Sequence, residues 1–410
     1  MPTGMLSIRQ ALDLMLPHFP VLGSESVPLT QAYGRVLAQD VKVTIELPPF
    51  DHSAMDGYAL RAADVRAGQA LSVSAEIRAG GSPQPLAAES SARIFTGAPL
   101  PPGADAVIMQ ENAERQGDRV TFSTLPSPGA HVRKRGSDHA LGSTLVAAGV
   151  ELGPAELGLL ASQGLTQLSV HRQPRVAILP TGDELRALDA PRRPFSIVDS
   201  NTYTLAAALQ QAGCVPVPLS IATDDPGVIA ARVEQGLAAD ALLTVGGVSV
   251  GEYDFVSESL QAAGVAIQFH KVAIKPGKPL LFGKRGETPV LGLPGNPASA
   301  LVVFEIFVRP GLLRMRGLRS VHPQPIEVVL SSGYAHKPGR TEFVRARVHY
   351  QAGVWTAAAH SNQSSGSVGS LSGQSALVIV PAERADIAEG EKLQAIIPGL
   401  PRRTDSVFAD

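Results

Sequence analysis

Residues 241–255 read ALLTVGGVSVGEYDF. Ala241 to Val245 form an apolar run broken only by Thr244, and Gly246 and Gly247 follow at once. A short apolar run closed by a turn signal reads as a buried strand. The glycines admit close backbone approach, and successive amides in such a turn can cradle an anion. The spacing is neither G-x-G-x-x-G nor a P-loop, because no Gly-Lys-Ser/Thr follows. Asp254 stands at the start of the helical pattern DFVSESLQAAG, a place where an aspartate also serves as a simple cap.

The same grammar of strand, turn and helix runs through residues 173–320. RVAILP (175–180) and CVPVPLSI (214–221) are expected strands. SNTYTLAAALQQAG (200–213) is a helix started by Ser200 or Asn201 and stopped by Gly213. DDPGVIAARVEQGL (224–237) is a helix, and TPVLGLPGNPASALVVFEIF (288–307) is another strand-to-helix passage. Repeated βαβ units with right-handed crossovers predict a central parallel, three-layer α/β domain. Ligands of such a domain bind beyond the carboxyl ends of the strands.

The flanks differ. Residues 1–40 read as helical, with Ser7 as cap, Ile8, Leu12 and Met15 on one face, and Pro17 as the stop. Residues 142–172 turn helical again around GPAELGLLASQG, with Pro154 in the first turn and Gly164 at the C-terminal cap. Between them, residues 41–141 carry short β-type runs separated by Gly/Pro turns, the pattern of a small all-β module inserted into a helical domain. Residues 321–410 return to short strands (PIEVVL, EFVRARVHY, ALVIVPA, KLQAIIP) and predict a small barrel or sandwich. HSNQSSGSVGSLSGQS (360–375) reads as a flexible loop.

Composition narrows the function. At 410 residues the chain needs several domains. A net charge of -2 gives no field that recruits nucleic acid or an anionic membrane. Cys214 is the single cysteine, which excludes an internal disulfide and cysteine-rich zinc sites. No apolar run approaches about 18 residues, so a soluble cytoplasmic protein is expected.

Polar chemistry collects after the strands. LPTGDEL (179–185) offers Asp183 and Glu184, as a capping turn or as a functional acidic pair. In TDDPGV, Pro226 fits the first helical position and makes Asp225 the natural cap, which leaves Asp224 without a structural task. AIKPGKPLLFG holds Lys275 and Lys278 in a stiff frame suited to phosphate or an oxyanion, unless it is a solvated turn. GLPGNPASALV presents a helix start, with Asn296 as cap and Pro297 first, as another anion seat. Anion-binding loops interspersed with carboxylates fit a phosphorylated ligand reconciled to the acids by Mg²⁺. No G-x-S-x-G elbow is present for a serine hydrolase. PPFDHSAMDGYAL (48–60) lies outside this segment. Asp51-His52-Ser53 reads as a turn bonded to local backbone, and His52 has no histidine at metal-ligand spacing, whereas Asp56 is left stranded.

PPFDHSAMDGYAL, IFTGAPLPPGADAVIMQE, RKRGSD, PTGDEL, DSNTYTL, TVGGVSVGEYDF, AIKPGKPLLFG and GLPGNPASALV occur in one order along nearly the whole chain. In that order they resemble the molybdopterin molybdenumtransferase family, the MoeA proteins, which are related to the gephyrin E domain. The resemblance implies a central domain of the molybdopterin-binding type (173–320), an inserted β module (41–141), a discontinuous elongated helical dimerisation domain (1–40 and 142–172) and a C-terminal β-barrel (321–410). It implies Mg²⁺-dependent insertion of molybdate into adenylylated molybdopterin, with hydrolysis and release of AMP. It also implies a homodimer whose cleft is completed in trans, with the molybdopterin adenylyltransferase as a possible contact.

Position by position, the resemblance implies catalytic roles for Asp56, Glu184, Asp224 and Asp254. Of these, Asp224 and Asp254 would hold Mg²⁺ or orient the attacking water. Thr96, Asp138, Gly246, Gly247, Ser249, Lys275, Lys278, Pro294, Asn296 and Pro297 would bind substrate. His52 and His139 depart from the family pattern, at positions where Asn and an aliphatic residue are usual. Two other readings are a gephyrin-like scaffold that captures a partner and the adenylyltransferase itself. The intact acids argue against the first, and the additional β domains together with AMDGYA argue against the second.

Overall fold

Ala241–Val245 is a strand in which every residue is buried. It pairs in parallel with Arg175–Pro180 on one side and with Thr288–Leu293 on the other. The computed structural model describes residues 4–247, 255–370, 372–373, 376–399 and 403–404. Within it the central sheet has six strands, in the order 215–218, 175–180, 241–245, 288–293, 279–285, 266–271. The first four run parallel, but Pro279–Arg285 and Ala266–Lys271 are antiparallel to their neighbours. The sheet is therefore mixed rather than parallel throughout. The cause is local. Arg285 faces Thr288 across a tight turn at Gly286 and Glu287, and a link that short can join only antiparallel strands.

Six of the helices lie in segments that read as helical, whereas Arg309–Met315 was not read from the sequence. We label them α1 (Ile8–Met15), α2 (Pro154–Ala161), α3 (Asn201–Gln211), α4 (Pro226–Gly236), α5 (Phe255–Ala262), α6 (Pro297–Val303) and α7 (Arg309–Met315). Alternate residues of the 175–180 strand enter different cores, as a period of two requires. Val176 and Ile178 pack with Leu12, Leu205, Phe304 and Phe307, whereas Ala177 and Leu179 pack with Ile229, Val233, Val256 and Leu260. From Arg175–Pro180 the chain passes through α3 to Val215–Pro218 on one side, then through α4 to Ala241–Val245 on the other. That reversal opens a crevice at the carboxyl ends of 175–180 and 241–245.

Ser7 caps α1 in a reciprocal box with Gln10, and Ile8, Ala11, Leu12 and Met15 are buried. Pro17 lies in the 3₁₀ turn Leu16–His18 that ends it. The rest of the N-terminal segment is not helical as expected, because Ser24–Pro28 is a strand antiparallel to Gln167–His171. Its partner is remote in sequence, so no local pattern announces it.

The C-terminal strands close into a five-stranded barrel. Thr341–Gln351 pairs with both Val354–Ala359 and Ala376–Val380, and Ile326–Leu330 and Lys392–Ile396 complete the ring. Val354–Ala359 escaped the sequence reading because its alanines have little β-propensity. The segment after it is anchored rather than a free loop. The Gln363 side chain accepts from Arg345 N at 3.1 Å and donates to Arg345 O at 2.9 Å.

The chain falls into two compact units, one of residues 1–39, 149–153 and 167–410, the other of 40–148 and 154–166. The second contains α2 and a six-stranded sheet ordered 106–109, 57–60, 90–94, 71–77, 119–122, 113–116. No helix among the described residues is long and apolar enough to cross a membrane.

Leu243 is fully buried in the central strand. Leu243→Ala is expected to lower stability by about 2–5 kcal/mol, read from the denaturant midpoint; a loss under about 1 kcal/mol would contradict a core position.

Candidate active site

A cavity of about 710 Å³ opens at the carboxyl ends of the central strands. Its walls are the turns after successive strands: Thr181, Gly182 and Glu184, then Asp224, then Gly246 and Gly247, then Pro294 to Pro297. The start of α3 (Asp199 to Asn201) and two residues of the barrel segment, Gly366 and Val368, add to it. Gly246 has φ +94°, and a Cβ there would stand 2.7 Å from the Thr181 carbonyl oxygen. Gly247 has φ +64°, and a Cβ would meet Val256 Cγ2 at 2.4 Å. Glycine is needed twice, for backbone conformation and for space, as the sequence pattern suggested.

The acidic residues are less free than their types imply. Asp225 caps α4 by accepting from Val228 N at 2.9 Å, as Pro226 indicated. Asp224 does have a structural task, contrary to the elimination argument. Its Oδ2 accepts from Asp183 N at 3.3 Å, while Asp183 Oδ1 accepts from Asp224 N at 3.1 Å. Two carboxylates thus clasp the turns after strands 175–180 and 215–218, each through the other's backbone. Glu184 is exposed at the rim. Asp254 and Ser249 lie outside the described residues.

Asp199 and Asn201 line the cavity and were not among the expected site residues. Buried Asp199 caps α3 by accepting from Thr202 N at 3.1 Å, whereas Ser200 makes no side-chain cap bond. Asn201 Nδ2 donates to Gly295 O at 2.7 Å and ties α3 to the turn after 288–293. An aspartate three residues before a helical N–H is a cap signal, and it was the signal available.

The expected anion seat at Pro297 is partly filled by the barrel segment. Ala298 N donates to Ser365 O at 3.0 Å, and Asn296 Nδ2 to Ser365 Oγ at 3.1 Å, so Asn296 does not cap through its side chain. Lys275 and Lys278 do not line the cavity, although Pro279 of their loop does. Lys275 is not a free ammonium. Ile274–Lys275 pairs with Thr341–Glu342, which sets Lys275 Nζ 3.0 Å from Glu342 Oε1. Lys278 is exposed. Among the described residues no three His, Cys, Asp or Glu side chains gather as a metal centre. Mg²⁺ commonly takes one or two carboxylates and completes its shell with water and substrate phosphates, and Asp224 fits that partial role.

Asp56, Thr96 and Asp138 belong to the other unit. Asp56 Oδ1 accepts from Thr96 N at 2.7 Å and from Thr96 Oγ1 at 2.8 Å. Those two bonds, helped by Arg93, hold the Asp56 carboxyl below the usual carboxylate range. Thr96, expected to contact substrate, directs both donors at Asp56 instead. Asp138 is exposed and its N–H donates to Leu47 O at 2.9 Å. Asp51 to Ser53 is not a simple turn. His52–Ser53 pairs with Val132–Arg133, and Asp51 bonds Lys134 Nζ and Arg135 N, both at 2.8 Å. Ser53 does keep to local backbone, donating to Met55 O at 2.5 Å. Burial pushes the Cys214 thiol up to about 12, so it is no nucleophile.

Comparison with known proteins accounts for nearly the whole length. Residues 6–164 match the MoeA N-terminal region (domain I and II), 177–314 a probable molybdopterin binding domain, and 327–397 the MoeA C-terminal region (domain IV). The molybdopterin molybdenumtransferase of Nostoc sp. is 38% identical over 405 residues, covering 95% of this chain and 93% of that one. Molybdopterin molybdenumtransferase 2 of Mycobacterium tuberculosis is 38% identical over 90% of this chain and 94% of its own. The solved molybdopterin biosynthesis MoeA protein of Pyrococcus horikoshii superposes with a TM-score of 0.81 at 30% identity, covering 96% of this chain and 99% of that one. The chain belongs to the molybdopterin molybdenumtransferase family, the MoeA proteins.

Proposed function

We propose that this chain completes the molybdenum cofactor by inserting molybdate into adenylylated molybdopterin, with Mg²⁺-dependent hydrolysis and release of AMP. The observation that carries the reading is the cavity itself. The Gly246-Gly247 turn, Glu184 and Asp224 meet at the carboxyl ends of the sheet, in a chain that matches a relative of this family over 95% of its length. Amides of the glycine turn seat a phosphate. Asp224 would hold Mg²⁺, which would supply the positive charge that lets carboxylates and pyrophosphate share a site. Glu184 at the rim accepts a proton from the attacking water as its oxygen bonds to phosphorus and the phosphoanhydride breaks. Lys275 and Lys278 neutralise molybdate. Molybdate insertion needs little covalent help from the protein, so positioning dominates.

A second copy supplies Asp56, so the active centre is completed in trans within a cytoplasmic homodimer. Thr96 holds that carboxylate ionised and aimed. The adenylyltransferase that makes the substrate is the partner from which it is handed on.

Purified protein given adenylylated molybdopterin, Mg²⁺ and molybdate is expected to release AMP well above background; its absence would refute the proposal. Asp224→Ala should slow that release by roughly two orders of magnitude or more, and a near-wild-type rate would reject its role. Mixing Asp56→Ala with Asp224→Ala subunits should restore one working site per mixed dimer. No recovery, with subunit exchange confirmed, would rule out completion in trans. Thr96→Val removes one of the two bonds to Asp56, so the Asp56 carboxyl should titrate at higher pH by NMR. Because its folded pKa is depressed, Asp56 stabilises the fold above its unfolded pKa, and that contribution fades as pH falls through the folded value. The part of the stability that is lost on acidification should therefore be smaller in Thr96→Val than in the wild type; an unmoved titration would contradict the hydrogen-bond assignment.

A further inference from the structure

Glu342 lies where the Lys275 loop meets the barrel, and the reading of the site given above assigns it no part beyond its contact with Lys275. Its side chain is 2% exposed, whereas that of Lys275 is 46% exposed. Lys275 Nζ stands 3.0 Å from Oε1 and 3.1 Å from Oε2, so one ammonium spans both oxygens. Tyr334 OH donates to Oε1 at 2.9 Å, and His336 Nε2 is 3.7 Å from Oε2. Arg345, on the same strand and 1% exposed, is within electrostatic reach, and its Nε and Nη1 have no hydrogen-bond partner among the described residues. Burial first, then the Glu342 carboxylate, pushes the Tyr334 phenol up, so it remains a donor.

A buried carboxylate is stable only when paired, and Lys275 is its direct counter-ion. The outer side of that ammonium faces solvent. An oxyanion that approaches it meets a second anion fixed 3.0 Å behind. Two like charges on either side of one cation repel, and low local polarity strengthens the repulsion. The positioning effect of Glu342 can be separated from its charge. A glutamine would still offer one oxygen to Lys275 and Tyr334, without the negative charge.

We propose that Glu342 is a built-in competitor for the oxyanion: it holds Lys275 in the resting protein and weakens oxyanion binding, so that the bound ion can be passed on rather than retained. The inference rests on the reading of Lys275 as an oxyanion ligand. A site that hands its ion to a second substrate works better when it does not stabilise the bound ion too far.

Molybdate binding to the full-length protein is measured by calorimetry at low salt, with circular dichroism as the check on folding. Glu342→Gln should lower the Kd by about tenfold, a change of about 1.4 kcal/mol. Tyr334→Phe, which strips a donor from the carboxylate and tightens its hold on Lys275, should raise the Kd. In a Lys275→Met background both effects should vanish, because they act through that side chain. Unchanged or weaker binding by a folded Glu342→Gln overturns the inference. If that variant does not fold, Tyr334→Phe decides, and unchanged or tighter binding overturns it. Wild-type protein that fails to bind molybdate, or that binds equally well as Lys275→Met, removes the oxyanion reading of the loop and this inference with it. The wrong sign removes the inference alone.

Discussion

A side chain at Gly246 would have to occupy the space of the Thr181 carbonyl oxygen. That close approach brings the turns after two neighbouring parallel strands together at the mouth of the crevice. The helices, the clasp between Asp183 and Asp224 and the bond from Asn201 to Gly295 are arranged around it. Each fixes one more turn to its neighbour. The cavity is thus lined by the glycine turn, by polar residues such as Asp199, Asn201 and Asp224, and by apolar residues such as Leu185, Ile197 and Val368, a mixture that suits a ligand with both polar and apolar parts.

Much of this was legible in the sequence, for identifiable reasons. The buried strand 241–245, the capped helices and the Pro226 logic all depend on residues within a few positions of each other, and local rules resolve them. Antiparallel pairing at 279–293 and the strand at Ser24–Pro28 were missed because their cause is a turn length or a distant partner. Among site residues, the resemblance selected positions that do gather around one cavity, namely Glu184, Asp224, Gly246, Gly247, Pro294, Asn296 and Pro297. Asp199 and Asn201 were passed over because a capping aspartate and an asparagine at a helix start look ordinary in a one-dimensional pattern.

Residue type also overstated freedom. Thr96, Asp224, Asn296 and Lys275 each appeared available for a ligand, and each is engaged by another part of the chain. A short polar side chain near a turn is seldom left alone, since unmet hydrogen-bonding capacity is destabilising. Such engagement is compatible with function. A carboxylate with one oxygen held is better aimed than one with both free, and an ammonium already paired exchanges partners rather than ordering from solvent.

The pairing of Ser24–Pro28 with Gln167–His171 has a consequence for how the chain was assembled. Seen from that strand pair, nearly all of the second unit is a single long excursion. The entropy of closing a flexible loop grows only with the logarithm of its length, about 0.6 kcal/mol for each doubling. A two-strand clamp of this kind therefore tolerates cargo of almost any size between its arms. The unit carrying Asp56 could be lengthened, shortened or exchanged over evolutionary time while the sheet, the cavity and the barrel kept their form.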